Sequence, residues 1–282
     1  MDIRITNTCN NNCLYCLEQT LRDKRAFMDL SSITKKITIE KWKTDTVISI
    51  YWGNPFLHPE IENIIRFCKE QWFSSINILT NGYWIEEDTL DVLQQIGLSG
   101  IWFYFNSLSE KNHEIITWNP DKKITVKQLL KTIYLSKRKW LYVKVIIHLH
   151  TLNIQESWKI IKVLSHTFQI QDFEFINFFP FDRPYNEYKK TLFYDFEKKR
   201  KYIDSLMKVL ILLKLRVKFV KFPQIFFWEY TNYYDIKTWI LEQIWPEDLA
   251  RLDTKDPPFC FLENRCQWCF IQDNCSFYER RK

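Results

Sequence analysis

Glycine is nearly missing from this chain, at 4 residues in 282, where a share of about 7% is usual. Those glycines, at 53, 82, 97 and 100, are too far apart for a glycine-rich phosphate loop, and none of the common nucleotide fingerprints occurs. Low-complexity tracts are absent too, which argues against a disordered or fibrous chain. The opening "MDIRITNT" lacks the apolar segment that directs secretion, and the greasiest run, "VLILLKL", is far shorter than the ~20 residues that span a bilayer. A cytoplasmic protein with no membrane partner is expected. Strong charge of one sign is also lacking, since 40 Lys and Arg against 34 Asp and Glu leave +6. That balance permits a nucleic-acid partner without pointing to one, because solvated helix faces such as "FEKKRKYIDSLMKVL" account for the same lysines. No serine or cysteine triad can be placed along the chain.

What is present begins with hydrophobic residues, 46% of the chain, enough for a sizeable core. They are laid out as short β-rich runs alternating with helical ones. "DIRIT", "TVISIY", "SINILT", "IWFYFN", "YVKVIIHL" and "DFEFINFF" read as strands, several apolar on both faces as in a parallel sheet covered by helices. "LSSITKKITIEKW", "HPEIENIIRFCKE", "EEDTLDVLQQI", "TVKQLLKTIYLSKRK" and "IQESWKIIKVLSH" read as helices between them, and a long helical stretch near 187–214 leads to "RVKFVKF". The class expected is α/β, a partial (β/α)6 barrel over residues 1–222 with a small extension over 223–282; a doubly wound sheet is the alternative. In either fold the loops at the C-terminal strand ends carry the chemistry.

Cysteine usage marks one of those loops. Seven of the eight cysteines form two groups, Cys9, Cys13 and Cys16 near the start and Cys260, Cys266, Cys269 and Cys275 near the end. A disulfide scaffold would scatter them through a much smaller chain, so metal or iron–sulfur ligation is the better reading. Cys68, alone on the apolar side of a helix, reads as a small core residue. Three thiolates in one loop can hold three irons of a [4Fe–4S] cluster and leave the fourth open, whereas zinc would want a fourth ligand nearby.

At this point the chain resembles the radical S-adenosylmethionine (SAM) superfamily, whose C-x3-C-x2-C loop follows the first barrel strand. Here it is Cys9, Cys13 and Cys16, with Tyr15 before the last cysteine. The resemblance implies a [4Fe–4S] cluster that binds SAM, reductive cleavage to a 5′-deoxyadenosyl radical, and hydrogen abstraction from a substrate. It also implies an electron donor such as a flavodoxin or ferredoxin. Further matches follow in order. Trp52, Gly53, Asn54 and Pro55 stand where the family has Gly-Gly-Glu-Pro, a segment that holds the SAM ammonium; Asn54 keeps an acceptor but loses the carboxylate charge. Thr80, Asn81 and Gly82 match its Thr-Asn-Gly segment. Asn106 and Ser107 occupy places from which the family reaches the SAM carboxylate or ribose, and Asn153 falls near the ribose or adenine. Caps and turns use the same residue types, so the order of these matches carries more than any one of them.

The C-terminal cysteines, at C-x5-C-x2-C-x5-C after "KDPPF", suit a site without an open position, either an auxiliary [4Fe–4S] cluster or structural zinc. They resemble a shortened SPASM or twitch extension of peptide-modifying radical SAM enzymes, but with fewer cysteines than a full SPASM region. The resemblance therefore implies a peptide or protein substrate, with RNA or a small metabolite as the alternative and a non-catalytic iron–sulfur or zinc interaction protein as the non-enzymatic one. His148 and His150 alternate on the fifth strand, so both are expected to face the same way, into a chamber or the core. His58 is expected to open a helix, and His113 and His166 to be surface or cap residues. "FPQIFFWEYTNYY" reads as a cover for the chamber or as packing.

Tryptophan is as abundant as glycine is scarce, at 12 residues. Trp52 stands in a family glycine position and Trp268 in the cramped turn "CQWC", while Trp72 and Trp84 fall in loops. One expectation is that a codon rendered as tryptophan is read as glycine by the source of this chain. The other is a natively tryptophan-rich protein, for which Trp102 and Trp158 sit at unremarkable core positions.

Overall fold

A computed structural model describes residues 1–16, 26–41, 46–83, 85–118, 125–177 and 196–220, the stretch 196–198 by its backbone alone. The expected extension over 223–282, with its four cysteines, Trp268 and most of the aromatic segment, lies outside the described residues, as does Trp84.

Among the described residues seven strands form one sheet: β1 (Asp2–Arg4), β2 (Val47–Tyr51), β3 (Ser75–Thr80), β4 (Gly100–Tyr104), β5 (Tyr142–His148), β6 (Asp172–Ile176) and β7 (Arg216–Val220). Every neighbouring pair is parallel and the spatial order follows the chain from β1 to β7. Parallel neighbours need crossovers, supplied by α1 (Leu30–Glu40), α2 (Ile61–Glu70), α3 (Glu87–Gln95), α4 (Glu110–Thr117), α5 (Val126–Arg138), α6 (Ser157–Phe168) and α7 (Phe196–Leu212). Strand order without reversal is that of a (β/α) barrel and not of a doubly wound sheet, which turns back at a switch point. The barrel is partial, with β1 and β7 at the ends of the sheet. "RVKFVKF" supplies a seventh strand beyond the six βα units.

Local chemistry explains where the helices begin. The Asp29 carboxylate accepts from the Ser32 N–H at 2.8 Å and starts α1. Thr125 and Gln128 form a reciprocal capping box at α5. Helix α4 was not expected from the sequence, because it is only eight residues long and mostly polar; it buries His113, Ile116 and Thr117 on one face.

Side chains alternate across the sheet. One set, including Ile48, Ile50, Ile76, Ile78, Ile101, Phe103, Val145, Ile147, Phe173 and Phe175, is buried against the helices. Cys68 joins that core, and burial pushes its thiol up to about 12. The other set is mixed, with Ser49, Tyr51, Trp102, Tyr104, His148 and Glu174 around a cavity. The sheet is therefore uniformly apolar on its helix-facing side, while on the other side Leu79, Ile146, Ile176 and Val220 supply the apolar share that the sequence suggested for several strands. Among the described residues no helix is long and apolar enough to cross a membrane.

Candidate active site

The loop after β1 is held in place by three other segments. Thr6 bridges Phe27 and its hydroxyl donates to the Ala26 carbonyl at 2.8 Å. The backbone N–H groups of Asn12 and Leu14 donate to the carbonyls of Thr117 and Ile116 at the end of α4, both at 2.9 Å. The Cys16 N–H closes a turn on the Cys13 carbonyl at 3.0 Å. So fixed, Cys9, Cys13 and Cys16 all line one cavity of ≈ 400 Å³, and all three are free thiols. Among the described residues no three His, Cys, Asp or Glu side chains gather closely enough for a single metal ion.

A lattice of amides ties this loop to the ends of β2 and β3. Asn54 is fully buried. Its Nδ2 donates to Asn10 Oδ1 and Asn81 Oδ1, each at 3.2 Å, and its Oδ1 accepts from the Thr80 hydroxyl at 2.8 Å. Asn81 Nδ2 donates to Asn10 Oδ1 at 2.7 Å and approaches Cys9 Sγ at 3.7 Å, where the Asn11 N–H also donates at 3.4 Å. Cys9 sulfur thus accepts from two N–H groups, the kind of contact that stabilises a thiolate and tunes a cluster. The Asn54 N–H donates to the Thr8 carbonyl at 2.8 Å, and Gly53, with φ 59, lies so close to it that a Cβ would meet that oxygen at 2.4 Å. Only glycine fits there.

The opposite wall is aromatic. Tyr15 stacks on His148 with ring centroids 4.3 Å apart, and Tyr104 stacks on the same imidazole at 5.6 Å. Burial, followed by the Cys13 thiol, holds the Tyr15 phenol well above its usual range; burial, followed by Glu174, does the same for Tyr104. Both stay neutral. Deeper on the inner face Lys144 pairs with Glu174 and lies over the Trp102 ring at 4.6 Å, with Lys218 3.9 Å from the same carboxylate. Asn106 Oδ1 is buried beside the cavity with no hydrogen-bond partner among the described residues.

The structure brings together Cys9, Cys13, Cys16, Tyr15, Trp52, Gly53, Asn81 and Asn106 around the cavity. It sets Asn54, Pro55, Ser107 and Asn153 behind that wall. Asn153, fully buried, donates to the carbonyls of Asn106 at 2.9 Å and His148 at 2.8 Å, tying β4 to β5. Ser107 donates to Glu156 and accepts from the Ser109 N–H at 3.0 Å. Of the two histidines expected to point the same way, only His148 reaches the cavity. The strand ends at His148, and His150 turns into the core, where its N–H donates to Asn153 Oδ1 and burial lowers its imidazole to about 3. His113 is not a surface residue: it is 1% exposed and bonded to the Tyr83 hydroxyl. His58, buried at the end of a short 3-10 turn, contacts the Met28 carbonyl at 2.9 Å ahead of α2, and His166 is exposed.

Sequence reasoning missed Asn10, whose Oδ1 joins Asn54 to Asn81, and the signal available was its place inside the cysteine loop. It also missed Tyr51, Tyr104 and Glu174, which the two-residue strand period puts on the inner face.

The chain is similar to several known proteins. The chain is 28% identical over 116 residues to GTP 3′,8-cyclase of Chlorobaculum tepidum, which is 41% of this chain and 35% of that protein. It thus spans about a third of the length of this curated relative. Among solved structures, Streptococcus suis SuiB bound to precursor peptide SuiA aligns with a TM-score of 0.59 at 15% identity, over 82% of this chain and 50% of that one. The anSMEcpe structure with bound AdoMet and the Cp18Cys peptide aligns with a TM-score of 0.62 at 16% identity, over 78% and 62%. These two establish likeness of fold. The family model for the Radical SAM superfamily matches residues 3–164, more than half of the chain and the whole span from the cysteine loop through β5. By that match, and by three thiols lining a cavity inside a parallel barrel, the chain belongs to the radical SAM superfamily.

Proposed function

We propose that this chain is a radical SAM enzyme acting on a peptide or protein. The observation that carries the catalytic reading is the set of three free thiols on one cavity at the ends of the barrel strands. The residues fit the groups the family implies: Cys9, Cys13 and Cys16 would each hold one iron of a [4Fe–4S] cluster, and the unmatched Asn106 Oδ1 is an acceptor suited to an ammonium or ribose hydroxyl of SAM. Bound together, the cluster and SAM supply one-electron cleavage of the sulfonium, fed by a flavodoxin or ferredoxin, and so a 5′-deoxyadenosyl radical able to take hydrogen from an unactivated C–H.

The chain's own residues place that chemistry. Asn81 and the Asn11 N–H steady the Cys9 sulfur. Gly53 lets the turn after β2 lie against the cysteine loop. Tyr15, Tyr104 and His148 form an aromatic wall that excludes water from one side of the cavity. Glu174, paired with Lys144, and Asp2 put charge on the inner face, where a polar substrate would be oriented.

Support for a peptide or protein substrate comes from the two structural neighbours that were solved with peptides and from the C-terminal cysteines. Those cysteines are assigned to an auxiliary [4Fe–4S] cluster, with structural zinc as the other outcome. A second reading, a small nucleotide substrate, is favoured by the sequence similarity to GTP 3′,8-cyclase. Anaerobically reconstituted protein should hold about eight irons, with about half lost when all four C-terminal cysteines become alanine. Iron near four with one zinc would identify a structural site. Reduced protein should convert SAM to methionine and 5′-deoxyadenosine, and Cys13→Ala should abolish product. A fully loaded chain that yields none would leave a non-catalytic iron–sulfur protein. Deuterium transfer into 5′-deoxyadenosine from labelled peptides, or from labelled nucleotides, separates the two substrate classes.

A further inference from the structure

Among the described residues six other than glycine have positive φ, and four of the six are tryptophan: Trp52 at 73°, Trp72 at 63°, Trp118 at 34° and Trp140 at 59°. The other two are Gln169 and Lys214. A few per cent of non-glycine residues sit in this region, mostly Asn, Asp and His, and a bulky side chain there is an outlier. The described residues contain six tryptophans, so four in this region is far above expectation. The left-handed region costs an L-residue a factor of roughly 5–30 in the folding equilibrium.

Three of the four close helices in the manner of glycine. After α2 the Trp72 N–H donates to the Lys69 carbonyl at 3.0 Å and the Phe73 N–H to the Cys68 carbonyl at 3.3 Å. After α5 the Trp140 N–H donates to Lys137 at 3.0 Å and Leu141 to Ser136 at 3.1 Å. That bond pair is the Schellman motif, which favours glycine at its left-handed position. After α3 the same two bonds form from Gly97 to Gln94 and from Leu98 to Leu93 with glycine at φ 123, and after α7 they form from Lys214 to Ile211 and from Leu215 to Leu210 with lysine at φ 50. Trp118 caps α4 in the left-handed conformation. Nothing about the indoles offsets the strain, for Trp72, Trp118 and Trp140 are 87%, 63% and 91% exposed.

Trp52 is the fourth. It precedes Gly53 in a turn with two consecutive positive φ angles, and its indole stands on the cavity wall under the Arg4 guanidinium at 4.4 Å. Trp102 and Trp158 differ from all four. They lie inside β4 and α6 with regular backbone, and Trp158 packs against the core.

We infer that residues 52, 72, 118 and 140 are glycine in the protein its source makes, a codon rendered here as tryptophan being read there as glycine. The turn after β2 is then a glycine pair, and the cavity beside the cysteine loop loses an indole from its wall. Trp102 and Trp158 are the positions whose backbone suits tryptophan.

Thermal unfolding of the 282-residue chain without cofactors tests this independently of any SAM chemistry. The tryptophan chain is compared with W72G/W118G/W140G, none of whose sites lines the cavity, and with W102G/W158G. The triple variant should unfold at a higher temperature, gaining roughly fivefold per site in the folding constant, and the double variant at a lower one. A triple variant with an unchanged or lowered midpoint overturns the inference. If the tryptophan chain gives no cooperative transition, recovery of one in the triple variant supports it and failure to recover one in W52G/W72G/W118G/W140G counts against it. Peptide masses of the protein isolated from its source then decide each position: glycine is expected at all four, and tryptophan at any of the three helix ends overturns the reading.

Discussion

The two faces of the same seven strands are built on opposite terms. Phe103 and its neighbours on the outer face are fully buried aliphatic and aromatic groups against helices. One residue further along, Tyr104 faces a cavity that it shares with thiols, an imidazole and a carboxylate. The outer face holds the barrel together by removing apolar surface from water. The inner face mixes apolar residues such as Leu79, Ile146 and Val220 with groups whose polarity would be wasted in a core. Stability and site chemistry thus depend on alternate residues of a strand.

The largest effect is expected of Phe103→Ala, which should destabilise the chain by about 3–5 kcal/mol in urea titrations. Tyr104→Phe, on the other face, should change stability by less than about 1 kcal/mol. Equal losses would show that the two faces are not divided in this way.

Next in size is an acid limb. His113 is buried, and burial, partly opposed by Glu110, lowers its imidazole to about 4 from an ordinary 6.5. Above 6.5 both folded and unfolded chains carry it neutral, so it has no effect. As pH falls from 6.5 towards 4 the unfolded chain takes up a proton that the folded chain refuses, and stability drops, by about 3 kcal/mol at most. His113→Gln keeps an acceptor for Tyr83 and should make this limb shallower in denaturation midpoints measured from pH 7 to 4; the part that remains belongs to His150, whose imidazole burial lowers to about 3.

Smaller again, Asn54→Ala removes the amide that joins the cysteine loop to β3. It should cost about 1–3 kcal/mol, because Thr80, Asn10 and Asn81 lose a buried partner. Were Asn54 a ligand contact alone, stability without SAM would be unchanged. The smallest effect on stability belongs to His148→Gln, less than about 1 kcal/mol, whereas SAM binding to reconstituted protein should weaken through loss of the Tyr15 stack.

The strands were legible because β-branched and aromatic runs fall between capped helices, and β3 matches its sequence run end to end. Helix α4 was not, since eight mostly polar residues carry too few apolar positions to show a period. His113 was misread for the same reason: its burial follows from α4 docking, which the sequence does not display. Of the site, the cysteines and the Thr-Asn-Gly segment could be read as motifs. That Asn54 and Asn153 are staples instead of cavity walls could not, because an amide's partners come from loops far apart in the chain.

By itself the sequence determined the α/β alternation, the three-thiol loop and the imbalance between tryptophan and glycine, since each is a matter of residue type and short-range spacing. The tertiary structure decided which alternate face of each strand became the cavity, where buried amides found their acceptors, and which tryptophans stand in left-handed turns. Those outcomes depend on the register of neighbouring strands and on backbone angles set where helices end, quantities that arise only when distant segments pack together.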